Sequence, residues 1–118
     1  MKRTSLSKRL RIYIAESDMC EGRPLVEVLM SLAKDQDMAG LTATRAQFGY
    51  GTHYPMQSSV EPERVERIPV VVEIVDEADK IDYYSKSVAP LVIFGLMTEE
   101  TVSILKYNAH PRVHQQPS

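Results

Sequence analysis

The stretch RIPVVVEIVDEADKIDYYSKSV, residues 67–88, reads as a strand running straight into a helix. Its first part, RIPVVVEIV (67–75), is rich in β-branched residues, and Pro69 is tolerable only near the beginning of a strand or on an edge. Asp76 then stands where a helix cap is needed. Ala78, Ile81, Tyr84 and Val88 follow at helical spacing and lay an apolar stripe along one side. Pro90 kinks or ends that helix before Gly95.

Working outward from this pair, RLRIYIA (9–15) alternates strictly. Leu10, Ile12 and Ile14 face one way and Arg11, Tyr13 and Ala15 the other, which predicts a strand with one buried face. Turn residues follow, then Pro24 at a first helical position, then Leu25, Val28, Leu29 and Leu32 on one helical face, with Gly40 as the expected stop. LTATRAQFGY (41–50) is rich in Thr and aromatic residues and predicts a second strand. From Gly51 to about Glu66 there is no apolar rhythm, so a long loop is expected between strands 2 and 3. TVSILKY (101–107) predicts a last short strand. The order β-α-β-β-α-β is that of the α+β ferredoxin-like fold, an antiparallel sheet with two helices on one face.

The 118 residues, 43% hydrophobic and 25% charged, fit one domain over residues 1–107, followed by a polar tail, 108–118, expected to be disordered. A chain of this size buries roughly two-thirds of its unfolded surface, which makes self-association a natural supplement to stability. A formal charge of −2 argues against a general nucleic-acid binder, whose affinity comes largely from phosphate neutralisation. Cys20 is the only cysteine, so no internal disulfide is expected and a reducing cytoplasm is the natural compartment. The N-terminal MKRTSLSKRLRIYIAE lacks an apolar core of signal-peptide length, and PVVVEIV is too short to span a bilayer.

If Leu10, Ile12 and Ile14 pack under the helices, the opposite sheet face carries Arg11 and Tyr13 with Val71, Glu73 and Val75 or their alternates. A face that mixes aliphatic, aromatic and charged groups suits a subunit interface, with Arg11 and Glu73 paired in it. The loop FGYGTHYPMQSS (48–59) is the other feature the core does not explain. Loops of this length in small domains usually carry function.

Several of these strings together, RLRIYIAESD, GRPL, AGLTATRAQFGYG, RIPVVVEIVDEADKI and GLMTEETV, resemble the PII-like family known as domain of unknown function 190, over residues 8–106. The resemblance implies a ferredoxin-like homotrimer related to the nitrogen-regulatory PII signalling proteins. In those proteins a Gly-Phe-Gly segment closes the second strand and a mobile T-loop follows; here Gly49, Tyr50 and Gly51 match, with Thr52 and His53 next. Glycines there let the backbone approach an anion and turn N–H groups toward it. By the same resemblance, an adenine nucleotide (ATP, ADP, AMP or cyclic AMP) would lie in clefts between subunits. The loop would respond to it and contact a target protein, such as a membrane transporter.

One segment departs from the PII pattern. Where a Gly- and Lys-rich run grips phosphate, this chain reads PLVIFGLMTEETV, with one glycine, no lysine and two glutamates. Arg45, with Arg64 and Arg67 at the far end of the loop, is then the expected source of positive charge. No catalytic set is recognisable, and the Gly-rich loop of the acylphosphatases, which share this fold, is replaced by SDMCEGRPL. Neither Cys20 nor the tail residues His110 and His114 make a metal-ligand set. The acidic pairs Asp76–Glu77 and Glu99–Glu100 read as helix-start charges and a solvated turn. The competing reading is a trimeric protein that binds a metal or a small anion such as bicarbonate, without a nucleotide.

Overall fold

The computed structural model describes residues 6–46, 48–51, 54–58 and 68–107; for 48–51 and 54–58 it describes the backbone alone. Strand β1 spans Ser7–Ala15. Two short strands, β2 (Met19–Cys20) and β3 (Arg23–Pro24), form a hairpin whose turn residues Glu21 and Gly22 have φ of 52° and 84°. Positive φ at both central positions matches the right-handed twist of a tight hairpin. Helix α1 follows over Leu25–Asp35, then β4 (Thr42–Arg45), β5 (Phe48–Gly51), β6 (Tyr54–Ser58), β7 (Pro69–Glu77), α2 (Ala78–Val88), a single 3-10 turn (Ala89–Leu91) and β8 (Leu96–Val102).

The main sheet has the order β4-β7-β1-β8, antiparallel throughout. With α1 and α2 on one face this is the expected α+β ferredoxin-like arrangement. Alternation decides which side chains the helices cover. Leu10, Ile12 and Ile14 of β1 and Val70, Val72 and Ile74 of β7 are buried with Leu25, Leu29 and Ala33 of α1 and Ile81, Tyr84 and Val88 of α2. The helical stripe of α1 differs from expectation: Val28 and Leu32 are only partly covered, and Ala33 is buried in the core with Leu25 and Leu29. The Tyr84 hydroxyl donates to the Leu29 carbonyl oxygen at 2.7 Å and ties the two helices together; burial pushes the phenol well above its ordinary pKa.

Four expectations need correction. First, residues 41–50 are not one strand. β4 pairs with β7 only from Arg45↔Val70 to Thr42↔Glu73, and the Ala46 N–H closes the ladder on the Pro69 carbonyl at 2.9 Å. Among the described residues no pairing of this strand with β7 continues past that bond, and β5 pairs with β6 instead, with a register shift between Gly49 and Gly51. Part of the presumed structureless loop is therefore a two-stranded ribbon.

Second, the last strand is Leu96–Val102, not 101–107. It matches β1 residue for residue from Tyr13↔Leu96 to Ser7↔Val102, where β1 begins among the described residues. Glu99 and Glu100 accordingly lie in a strand and not in a turn. Third, α1 stops at Asp35 rather than running to Gly40. Asp37 takes the left-handed conformation (φ 59°), the Met38 N–H bonds Ala33 O and the Asp37 N–H bonds Lys34 O, each at 3.0 Å. That is a Schellman ending with Asp in the glycine position. At the other end, Pro24 sits just before the first helical residue, not at it.

Fourth, Asp76 does not cap α2; the cap position is Glu77, which makes no side-chain cap bond. Asp76 is buried at the end of β7, where its carboxylate accepts the Ala39 N–H at 2.8 Å and the Glu77 N–H at 2.7 Å. It pins the α1–β4 connection to the start of α2. Lys80 reinforces the same corner by donating to the Asp37 carbonyl.

Candidate functional site

The candidate site lies at the end of the sheet where β1 and β4 finish and β7 and β8 begin. Three chain crossings are fixed there by backbone bonds. Besides the Ala46–Pro69 bond, the Glu16 N–H donates to Ile68 O at 2.7 Å, so both stems of the segment between β4 and β7 are tied to neighbouring strands. The Asp18 carboxylate accepts the Ala15 N–H at 2.9 Å and the Asp18 carbonyl accepts the Leu25 N–H at 2.7 Å, which locks the exit of β1 onto the start of α1.

Of the residues expected to hold a ligand, Arg45 is the last residue of β4, with its side chain 59% exposed and its guanidinium paired to Glu16. Gly49, Tyr50 and Gly51 lie in β5, the next strand after the one that Arg45 ends, and Gly51 faces Tyr54 across the ribbon. Thr52, His53, Arg64 and Arg67 lie outside the described residues, as does the tail 108–118. The segment that departs from the phosphate-gripping pattern, PLVIFGLMTEETV (90–102), starts at the same end of the sheet but on the opposite edge and runs on into β8.

Gly95 has a packing role in that segment. A Cβ on it would fall on the Tyr13 carbonyl oxygen and press on the Val92 side chain. The lone glycine is thus required for close approach of β8 to β1. Ile93 and Phe94 beside it are exposed, Ile93 to 72%.

The uncovered sheet face carries a ladder of charge. Arg11 stands opposite Glu73 with Nε 3.7 Å from the carboxylate, as expected, and Arg9 lies between Glu73 (3.7 Å) and Glu100, to which it is hydrogen-bonded. The Arg9 Nε is buried and has no hydrogen-bond partner. Tyr13, Val71 and Val75 complete the face as half-buried apolar groups. On the helix side Lys8 bridges Asp82 (2.9 Å) and Glu99 (3.1 Å), whose carboxylates raise its pKa.

At the far end of the molecule a cleft of about 290 Å³ is lined by Gln36, Met38, Asp79, Lys80 and Tyr83. Among the described residues no group of three or more His, Cys, Asp or Glu is arranged to hold a metal ion, and no helix is long and apolar enough to cross a membrane. The residue that sequence reasoning missed is Glu16. Its nearness to Arg45 depends on sheet order, and AESD after an alternating strand gives no sign of it.

The fold is that of an α+β ferredoxin-like chain. The sequence profile of domain of unknown function 190, described as an uncharacterized ACR, matches residues 7–104, and the chain belongs to that family. A UPF0166 protein of Aquifex aeolicus is 34% identical over 98 residues, covering 83% of this chain and 92% of its own. Among solved structures, CPII of Thiomonas intermedia K12, a nitrogen regulatory PII-like protein bound to ADP, AMP and bicarbonate, superposes with a TM-score of 0.67 at 13% identity, over 86% of this chain and 90% of that one. CutA of Synechococcus elongatus PCC7942 superposes with a TM-score of 0.56 at 10% identity, over 86% and 80% of the two chains.

Proposed function

We propose that this protein is a homotrimeric PII-like regulator that senses an adenine nucleotide at clefts between subunits, and that it acts without catalysing a reaction. The observation that carries the reading is that Arg45, with the Gly49–Tyr50–Gly51 backbone after it, and the Ala89–Gly95 connection stand at the same end of the sheet on its two opposite edges, in a fold shared with a protein that binds ADP, AMP and bicarbonate. Within one chain β4 and β8 are opposite edges of the sheet. A ligand touching both segments therefore takes them from two neighbouring copies. Guanidinium and strand-end N–H groups suit phosphate oxygens, while the apolar Ile93 and Phe94 suit the flat face of a base. Thr52, His53, Arg64 and Arg67 complete the site in this proposal, and the segment between β5 and β7 passes the signal to a target protein such as a membrane transporter. The cytoplasm, where adenine nucleotides are abundant, is the compartment this role requires.

A second reading has its own support. Ala89–Val102 contributes two glutamates and no cation, which lowers the charge available to a triphosphate and favours a smaller anion such as bicarbonate. Calorimetric titration with ATP, ADP, AMP, cyclic AMP and bicarbonate separates the two. Saturable heat with at least one nucleotide is expected. Heat from bicarbonate alone, with every nucleotide silent, replaces the first reading by the second.

A further inference from the structure

The carboxylate of Glu16 occupies the position an anion would need beside Arg45. Glu16 is the first residue after β1, and Arg45 the last of β4; β7 lies between these strands, so the ion pair reaches across the entry of β7 at Pro69. Neither partner is placed by chance. The Glu16 backbone is held by its bond to Ile68 and by the Asp18 turn behind Ala15, and Arg45 is held by the ladder that ends at Ala46 and Pro69. An arriving anion must displace the Glu16 carboxylate from Arg45, at a cost that does not depend on the ligand's charge, and then lie near it, where repulsion grows with that charge.

We propose that Glu16 is a specificity-determining residue: it competes for Arg45 and so lowers affinity for highly charged ligands relative to less charged ones. This rests on the nucleotide reading above and adds to it a rule for which nucleotide is preferred. The pair is solvent-exposed, so its effect is modest, about two- to fivefold in affinity.

The test is titration of the full chain with adenosine, AMP and ADP at low ionic strength. In Glu16→Gln, ADP is expected to bind about two- to fivefold more tightly, AMP to gain less and adenosine to be unchanged. In Arg45→Gln ADP binds more weakly, and adding Glu16→Gln to it returns less than Glu16→Gln gains with Arg45 present, because only through-space repulsion is then relieved. An equal gain for adenosine, no gain for ADP, or a gain undiminished without Arg45 overturns the proposal while leaving the function intact. Wild-type protein that binds none of the three ligands, nor any other nucleotide, overturns both. Thermal unfolding of the same samples reports whether the fold survives, and Glu16→Ser supplies the same charge removal if the amide distorts the turn.

Discussion

Asp76, buried where β7 meets α2, accepts the backbone N–H groups of Ala39 and Glu77 and so joins the α1–β4 connection to the start of α2. Asp76→Ala strands both donors and should cost about 1–3 kcal/mol in urea unfolding, with Asp76→Asn costing less because one acceptor oxygen remains. The same scale explains what could not be read at the site. Arg45 was recognisable by family resemblance, but its partner was not, since 28 positions in sequence say nothing about which strand will lie between them. Asp37 is a similar case: glycine is the usual residue for a left-handed helix end, so Gly40 drew the expectation, and a nearby Asp filled the role.

At the scale of elements, the strands and helices that bury an aliphatic side were legible. β1, β7 and α2 carry strong periodicity, and the two core strands fell within two residues of their expected ends at every boundary. β8 was displaced because it is an edge strand whose Thr98, Glu99, Glu100 and Thr101 are all exposed; its pattern is set by salt bridges to Lys8 and Arg9, which no local rule detects. β4 and β5 merged into one expected strand because the break between them is imposed by Pro69 on a different strand. The start of β8 also depends on close backbone contact. Gly95→Ala should lower stability by about 1–3 kcal/mol, since the neighbour it meets is main chain and cannot swing away. Amide hydrogen exchange should rise first at Leu96 and Met97.

Among the described residues, β4 and β8 are the edges of the sheet, and with the half-apolar sheet face and the exposed Ile93, Leu96, Ile104 and Leu105 they leave more apolar surface than a small monomer usually shows. The proposed trimer accounts for this, and Val71→Glu tests it. A carboxylate added to the sheet face beside Glu73 should reduce the mass in sedimentation equilibrium to that of single chains, at least in part, while circular dichroism stays unchanged. A wild-type chain that sediments as a monomer at every concentration would remove the between-subunit cleft from the proposal.

The positions of Arg9 and Lys8 carry one more consequence. Sliding β1 by two residues along its neighbours would return each aliphatic side chain to its own face, so burial alone would tolerate the error. It would also part Lys8 from Asp82 and Glu99 and Arg9 from Glu100, even though in one direction Arg11 would come to stand opposite Glu100. Charge thus proofreads the alignment that grease leaves ambiguous, and strong salt during refolding should let misaligned chains accumulate.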